Sequence, residues 1–344
     1  MDSMERSREG KKRHRNPLGA AHVNPRDAYR DVPILKQPTW NHEVAAYFFF
    51  GGISAGSAMV GSLAEVAGGE RHKRLARVAH YVSLATLLPC PPLLIDDLGM
   101  PRRFHHMLRI FKPSSPMNLG SWALTLHGAG ATVMVVRMLA DERKLPIPVI
   151  GGVVQAVPER LLAGLGIPSS FVLAGYTGVL LGTTSIPVWQ TSPLLGALFM
   201  SSAFSTGIAA TNLVGLLTQS ENEEEEGELA ALALASGVTE AVMLAGYVAT
   251  TGEAAAPLMA GEPGLLMGGA VAGLAAAALL ELVSIRSKKH KKTASLLASV
   301  AALISGALLR WAVVRAGRVS AADREGTIEA MKPREGSPGW GAGV

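Results

Sequence analysis

The residues best suited to chemistry sit at the ends of apolar runs. His42 and Glu43 open one run, Asp96 and Asp97 close another, and His105 and His106 follow soon after. Grouped carboxylates and imidazoles suit proton exchange coupled to electron transfer. An unperturbed imidazole titrates at about 6.5, so it gives and takes protons near neutrality. Plainer roles stand beside this one. Asp96 and Asp97 would also cap and solvate a helix end, and His42 suits a polar boundary.

A second set lies inside the apolar runs. Glu240 falls near the middle of its run, and Arg310 lies one to two turns inside another. His127 lies about two turns in from the end that carries the first set, and His80 about as deep from the opposite end. Ionisable groups in such positions are rare and usually functional. Glu240 fits a proton relay, or an interhelical hydrogen bond made while protonated. Arg310 is its candidate counter-charge, or it snorkels to the boundary. Glu281 and Arg137 lie near run ends, where snorkelling accounts for them.

The elements that position these groups follow from composition. The chain has 344 residues, 49% of them hydrophobic and 17% charged, with mean hydropathy +0.28. A soluble protein carries about 25% charge, and disorder needs low hydrophobicity. The few charges are bunched between long uncharged runs, and a run of about 20 apolar residues reads as a membrane span. Eight are expected: Val44 to Ala64, Leu75 to Ile95, Gly120 to Ala140, Pro168 to Val188, Pro193 to Leu217, Leu229 to Thr251, Gly264 to Ile285 and Ala294 to Val314. They lack period-2 alternation, so helices rather than barrel strands satisfy the backbone in lipid. The expectation is an all-α integral membrane protein, a bundle of eight transmembrane helices. It has nine if Pro146 to Pro168 crosses too, but Pro158-Glu159-Arg160 in its middle favours an interfacial or re-entrant helix.

Around the transmembrane domain, residues 44–317, the sequence predicts a polar basic arm over 1–43 and a polar surface tail over 318–344. No cleaved signal is expected after the KKRHR run. The acidic run from Glu221 to Glu228 reads as a solvated loop. Gly51, Gly52 and Gly56 give a close-packing helix face, as do Gly268, Gly269 and Gly273. Trp40, Trp122, Trp189 and Trp311 read as an aromatic belt. Lys and Arg near span ends lean toward both termini outside, although nine Lys and Arg residues before Val44 pull the other way. The basic balance is ordinary membrane electrostatics, not nucleic acid binding. The single Cys90 excludes an internal disulfide and an iron–sulfur cluster held by this chain alone.

Several strings recur on one predicted face. They are GGISAG from Gly51, DLGMPRRF from Asp97, PSSPMNLGSW from Pro113 and TGVLLGTTSIPVW from Thr177. In this order they resemble the NrfD/PsrC family, the integral membrane subunits of polysulfide, nitrite, formate and related reductases. The resemblance covers about residues 40 to 321.

The resemblance implies a quinone-reactive anchor in a bacterial or archaeal cell membrane, with menaquinone or ubiquinone as substrate. It implies neither haem nor an iron–sulfur cluster nor another metal in this chain. Its partners would be a 4Fe-4S ferredoxin-like subunit and a molybdopterin catalytic subunit. His42, Glu43, Asp96, Asp97 and His105 become candidates for quinone binding and proton exchange. His127, Glu240 and Arg310 become candidates for a proton path. Arg102, Arg103 and Lys112 fall in the loop expected to dock the partner, where interfacial anchoring is the plainer role. The rival from another class is a secondary transporter or ion-conducting protein that uses Glu240 and Arg310.

Overall fold

A computed structural model describes residues 33–98, 100–142, 156, 158–218, 223–287 and 289–331. The described chain is all-α, and eight of its helices are long and apolar enough to cross a membrane. The first span is α1 (His42–Gly68). The second is α2 (Lys73–Leu87) followed by α3 (Cys90–Asp97), broken where Pro89 enters. Then come α4 (Pro116–Asp141) and α5 (Glu159–Gly182). A short turn, α6 (Pro187–Gln190), precedes α7 (Leu195–Leu217) and α8 (Glu223–Thr251). Finally α9 (Gly261–Arg286) and α10 (Lys291–Ala322) form a hairpin, and α11 (Arg324–Met331) follows.

α1 is the central pillar. It packs against α2, α5, α7 and α10, and most of its length is buried. Its crossing with α7 brings backbone against backbone. A side chain at Gly56 would collide with the carbonyl of Ala203, and one at Gly207 with the backbone of Gly56. Of the small-residue face read from Gly51, Gly52 and Gly56, Gly56 does the close backbone packing, Gly52 makes room for the Arg310 guanidinium, and Gly51 meets only ordinary contacts. Gly269 and Gly273 allow close packing between α9 and α10, against Leu308 and Ser305.

Four expectations are corrected. The fourth span starts earlier than Pro168, because α5 runs unbroken from Glu159 with Pro168 inside it. A membrane helix tolerates a proline, whose missing N–H leaves the carbonyl four residues earlier without its helical donor, when neighbouring groups or local adjustments compensate. Residues 143–155 lie outside the described segments. Trp189 is not a belt residue. It is fully buried, stacks on Trp40 at 5.5 Å and donates its indole N–H to the Val313 carbonyl at 2.8 Å.

The acidic run is not a free loop, since its described part opens α8. Glu226 pairs with Lys291 at 3.0 Å, and Glu228 with Arg71 at 3.1 Å and His72 at 2.6 Å. These bridges gather the loops after the first, fifth and seventh spans on one face. The part of the tail that is described is helical rather than loose. α10 continues to Ala322, and Asp323 turns the chain into α11 by accepting from the Gly326 amide and the Thr327 hydroxyl.

Candidate functional site

The loop after α3 folds back as a 3-10 strap, Pro101–Leu108, over the bundle end where α1 and α4 begin. Asn118 fixes it. Its side chain donates to the carbonyls of Met107 at 2.6 Å and Ile110 at 3.0 Å, and accepts from the Lys112 amide at 2.7 Å. Ser115 caps α4 by accepting from the Asn118 amide, and Pro116 takes the first helical position. The PSSPMNLGSW string is thus a helix start that also ties down the strap.

Beneath the strap runs a groove of about 360 Å³. Its walls are apolar, from Leu87, Leu94, Leu124 and Leu180, with Phe104 and Met107 as the roof. Three groups bring polarity: Asp97 at the end of α3, Tyr47 on α1 and Tyr176 on α5. Tyr176 donates its hydroxyl to the Pro116 carbonyl, and its ring fills the space that a side chain at position 120 would need. Ser121 and Thr125 also line the groove, but their hydroxyls bond back to Met117 and Ser121 carbonyls. A ligand pocket of this size, mostly apolar with a few convergent polar groups, fits a flat hydrophobic ring with carbonyls to be held.

The sequence candidates divide around this groove. Asp97 lines it, and Glu43 and Asp96 lie close enough to act on Asp97 electrostatically. Asp96 itself is exposed. His105 stands on the outer side of the strap, edge-on to Phe104 and His106. His42 turns toward α10, accepting from the Trp311 indole at 3.1 Å and lying 2.8 Å from the Arg315 guanidinium. Neighbouring Asn41 accepts from Arg318. This pair therefore latches α1 to α10 and does not line the groove. Arg102, Arg103 and Lys112 are exposed on and after the strap, beside exposed Met100, Ile110 and Phe111.

Sequence reasoning missed Tyr47, Tyr176 and Asn118. Asn118 lies within a string that was singled out, while Tyr176 immediately precedes one and Tyr47 lies one turn before another; nothing in linear spacing ties them to Asp97.

The deep ionisable groups form two separate clusters. Arg310 is 1% exposed and does not snorkel. Its guanidinium donates to the carbonyl of Phe48 at 3.1 Å, to that of Gly306 at 3.1 Å and to the Ser202 hydroxyl at 2.6 Å. Glu240 is also buried, and Ser202, Ser205 and Arg310 lie close enough to act on its carboxyl electrostatically. Ser205 in turn borders a small cavity that holds Glu281. Glu281 is 4% exposed, so it does not snorkel either.

His127 belongs to the other cluster, with its Nε2 3.0 Å from the Ser54 hydroxyl and its Nδ1 3.5 Å from that of Ser170. Among the described residues no group of three His, Cys, Asp or Glu side chains gathers as a metal ligand set.

Comparison with known proteins agrees with the strings. Residues 33–322 match the family described as Polysulphide reductase, NrfD. The protein is 30% identical over 195 residues to a component of the polysulfide reductase of Wolinella succinogenes, covering 52% of this sequence and 58% of that one. It is 23% identical over 169 residues to the Hdr-like menaquinol oxidoreductase integral membrane subunit of Archaeoglobus fulgidus, covering 49% and 40%. It is 22% identical over 205 residues to a component of the selenate reductase of Mesobacillus selenatarsenatis, covering 51% and 47%. The chain spans about half the length of these curated relatives.

Proposed function

The chain belongs to the NrfD polysulphide reductase family of oxidoreductase membrane subunits, and on that premise we propose that it is a quinone-reactive anchor whose ring site is the groove under the strap. The observation that carries this reading is the placement of Asp97, Tyr47 and Tyr176 around one apolar groove at the motif face. Menaquinone and ubiquinone are both compatible with it, and the name of the archaeal relative favours menaquinol.

In this mechanism the leucines and Phe104 exclude water from the ring. Tyr47 offers its hydroxyl to hold it, Tyr176 shapes the wall while its own hydroxyl is given to the Pro116 carbonyl, and Asp97 takes or gives the proton at the substrate oxygen. Glu43 and Asp96 set the negative field around Asp97. His42 acts through α1, by holding the helix that carries Tyr47, and His105 faces the partner rather than the ring.

Electrons would pass to or from a 4Fe-4S ferredoxin-like subunit docked over the strap. Its landing surface combines Arg102, Arg103 and Lys112 with exposed Met100, Ile110 and Phe111. That subunit would in turn serve a molybdopterin catalytic subunit. Relatives named as components of a polysulfide reductase and a selenate reductase support such an assembly. The setting would be a bacterial or archaeal inner membrane, with both termini outside. Proton translocation beyond the quinone's own two protons would involve Glu240, buried beside Arg310 and Ser202. A transporter reading of the same residues is less well supported, because Arg310 is committed to backbone carbonyls of three helices.

The test is direct. The complex is purified with its partners and a menaquinol analogue is titrated. Asp97→Asn should lower quinol turnover by about 10²–10⁴ while leaving assembly intact; unchanged turnover would sink the groove as the site.

A further inference from the structure

The two histidines that sequence placed at similar depths from opposite faces meet in one cavity. It measures about 20 Å³ and is lined by Ser62, His80, His127, Ser169 and Ser170. That is room for one water molecule, which needs two to four polar partners. Four polar atoms here are buried and have no hydrogen-bond partner among the described residues. They are the Ser62 hydroxyl, His80 Nε2 and both carboxyl oxygens of Glu65. His80 Nε2 lies 3.3 Å from Glu65 Oε1, within ion-pair range but without hydrogen-bond geometry. A cluster built only for stability would pair such atoms.

The cluster has two ends. Toward the groove, His127 reaches the Ser54 hydroxyl at 3.0 Å, and Ser54 lies 3.3 Å from the Ser83 hydroxyl. One turn above Ser83 is Leu87, and beside His127 is Gly128; both line the groove. One turn above Ser54 is Gly51, against which the Tyr47 ring lies. In the other direction, Glu65 sits at the last turn of α1. Arg77, one turn outside His80, pairs at 3.0 Å with Glu142 just past α4. Arg137 and Asp141 on α4 lie on the same face, as do Arg71, His72, Glu226, Glu228 and Lys291.

We propose that Glu65, His80 and His127 carry protons between the groove and the membrane face opposite the strap. The proposal rests on the quinone reading and adds the side of proton exchange. Reducing one quinone takes two electrons from the partner's cluster and two protons, each forming an O–H bond; oxidation reverses both. The proposed line supplies or removes those protons one at a time.

The test uses the whole complex in lipid vesicles, with a pH indicator in the lumen and a menaquinol analogue as substrate. Glu65→Gln and His80→Gln should each slow turnover tenfold or more, with KM changed less than twofold, while Glu65→Asp keeps most of the rate. Wild-type protons should appear on, or leave from, the side opposite the docked partner. Ser54→Ala, a mild change, should slow turnover severalfold and decides the matter if the Glu65 variant fails to assemble. Wild-type rates in the assembled variants, or protons exchanged on the partner's side, overturn the proposal. A wild-type complex with no quinone activity would instead overturn the reading on which it rests.

Discussion

Arg310 and Ser202 are joined at a buried point beside Glu240. The guanidinium donates to the Ser202 hydroxyl at 2.6 Å, and both groups lie close enough to act on the Glu240 carboxyl electrostatically. Helices α10 and α7 are thereby tied together with α8 alongside, and the Phe48 carbonyl adds α1.

Removing the arginine should therefore be costly. Arg310→Ala leaves the Phe48 carbonyl and the Ser202 hydroxyl buried without their guanidinium donor, and each buried polar group left unsatisfied costs about 1–3 kcal/mol. The expected outcome is a sharp drop in the denaturation midpoint of the detergent-solubilised complex. Ser202→Ala should cost less, about 1–3 kcal/mol, because one hydroxyl is lost and the guanidinium keeps its carbonyls.

The groove makes a kinetic prediction. Asp97→Asn should lower quinol turnover by about 10²–10⁴, the usual worth of a positioned acid–base group. Tyr47→Phe should act chiefly on KM. Steady-state assays with a menaquinol analogue separate the two effects. Equal loss of kcat in both variants would count against the roles assigned here.

Gly120 tests the shape of the site. An added methyl would overlap the Tyr176 ring and push it from the Pro116 carbonyl. Gly120→Ala should raise KM for the quinol analogue and destabilise by about 1–3 kcal/mol, the common cost of overpacking. Gly268→Ala is the control, since nothing lies within 4 Å of a side chain there.

The acidic start of α8 gives a matched pair. Glu226 is buried beside Lys291, whereas Glu228 is exposed. Glu228→Gln should cost about 0–1 kcal/mol, and Glu226→Gln measurably more. Thermal unfolding at low and high salt reads the difference, with only the Glu228 contribution fading in salt.

Much of the fold was legible, because excluding charge from hydrocarbon writes each span into the sequence. The site was legible in part. Asp97 could be named since it ends an apolar run, and Asn118 lay in plain view inside a motif string, with Tyr176 just before another. Which polar residues share a groove depends on how distant helices rotate, and linear periodicity is silent on that. The same blindness separated His80 from His127. It also set Trp189 in an interfacial belt, when the fold at Thr183–Ile186 turns it inward.

The contact between α1 and the later helices has a consequence for biosynthesis. Every groove wall belongs to the first four spans, which leave the ribosome first. Yet α1 is held by Gly207 on the fifth span and by Arg310, Trp311 and Arg315 on the eighth. The pocket can therefore acquire its shape only when synthesis is nearly finished, and a polypeptide arrested before α10 would carry every groove residue without a working groove.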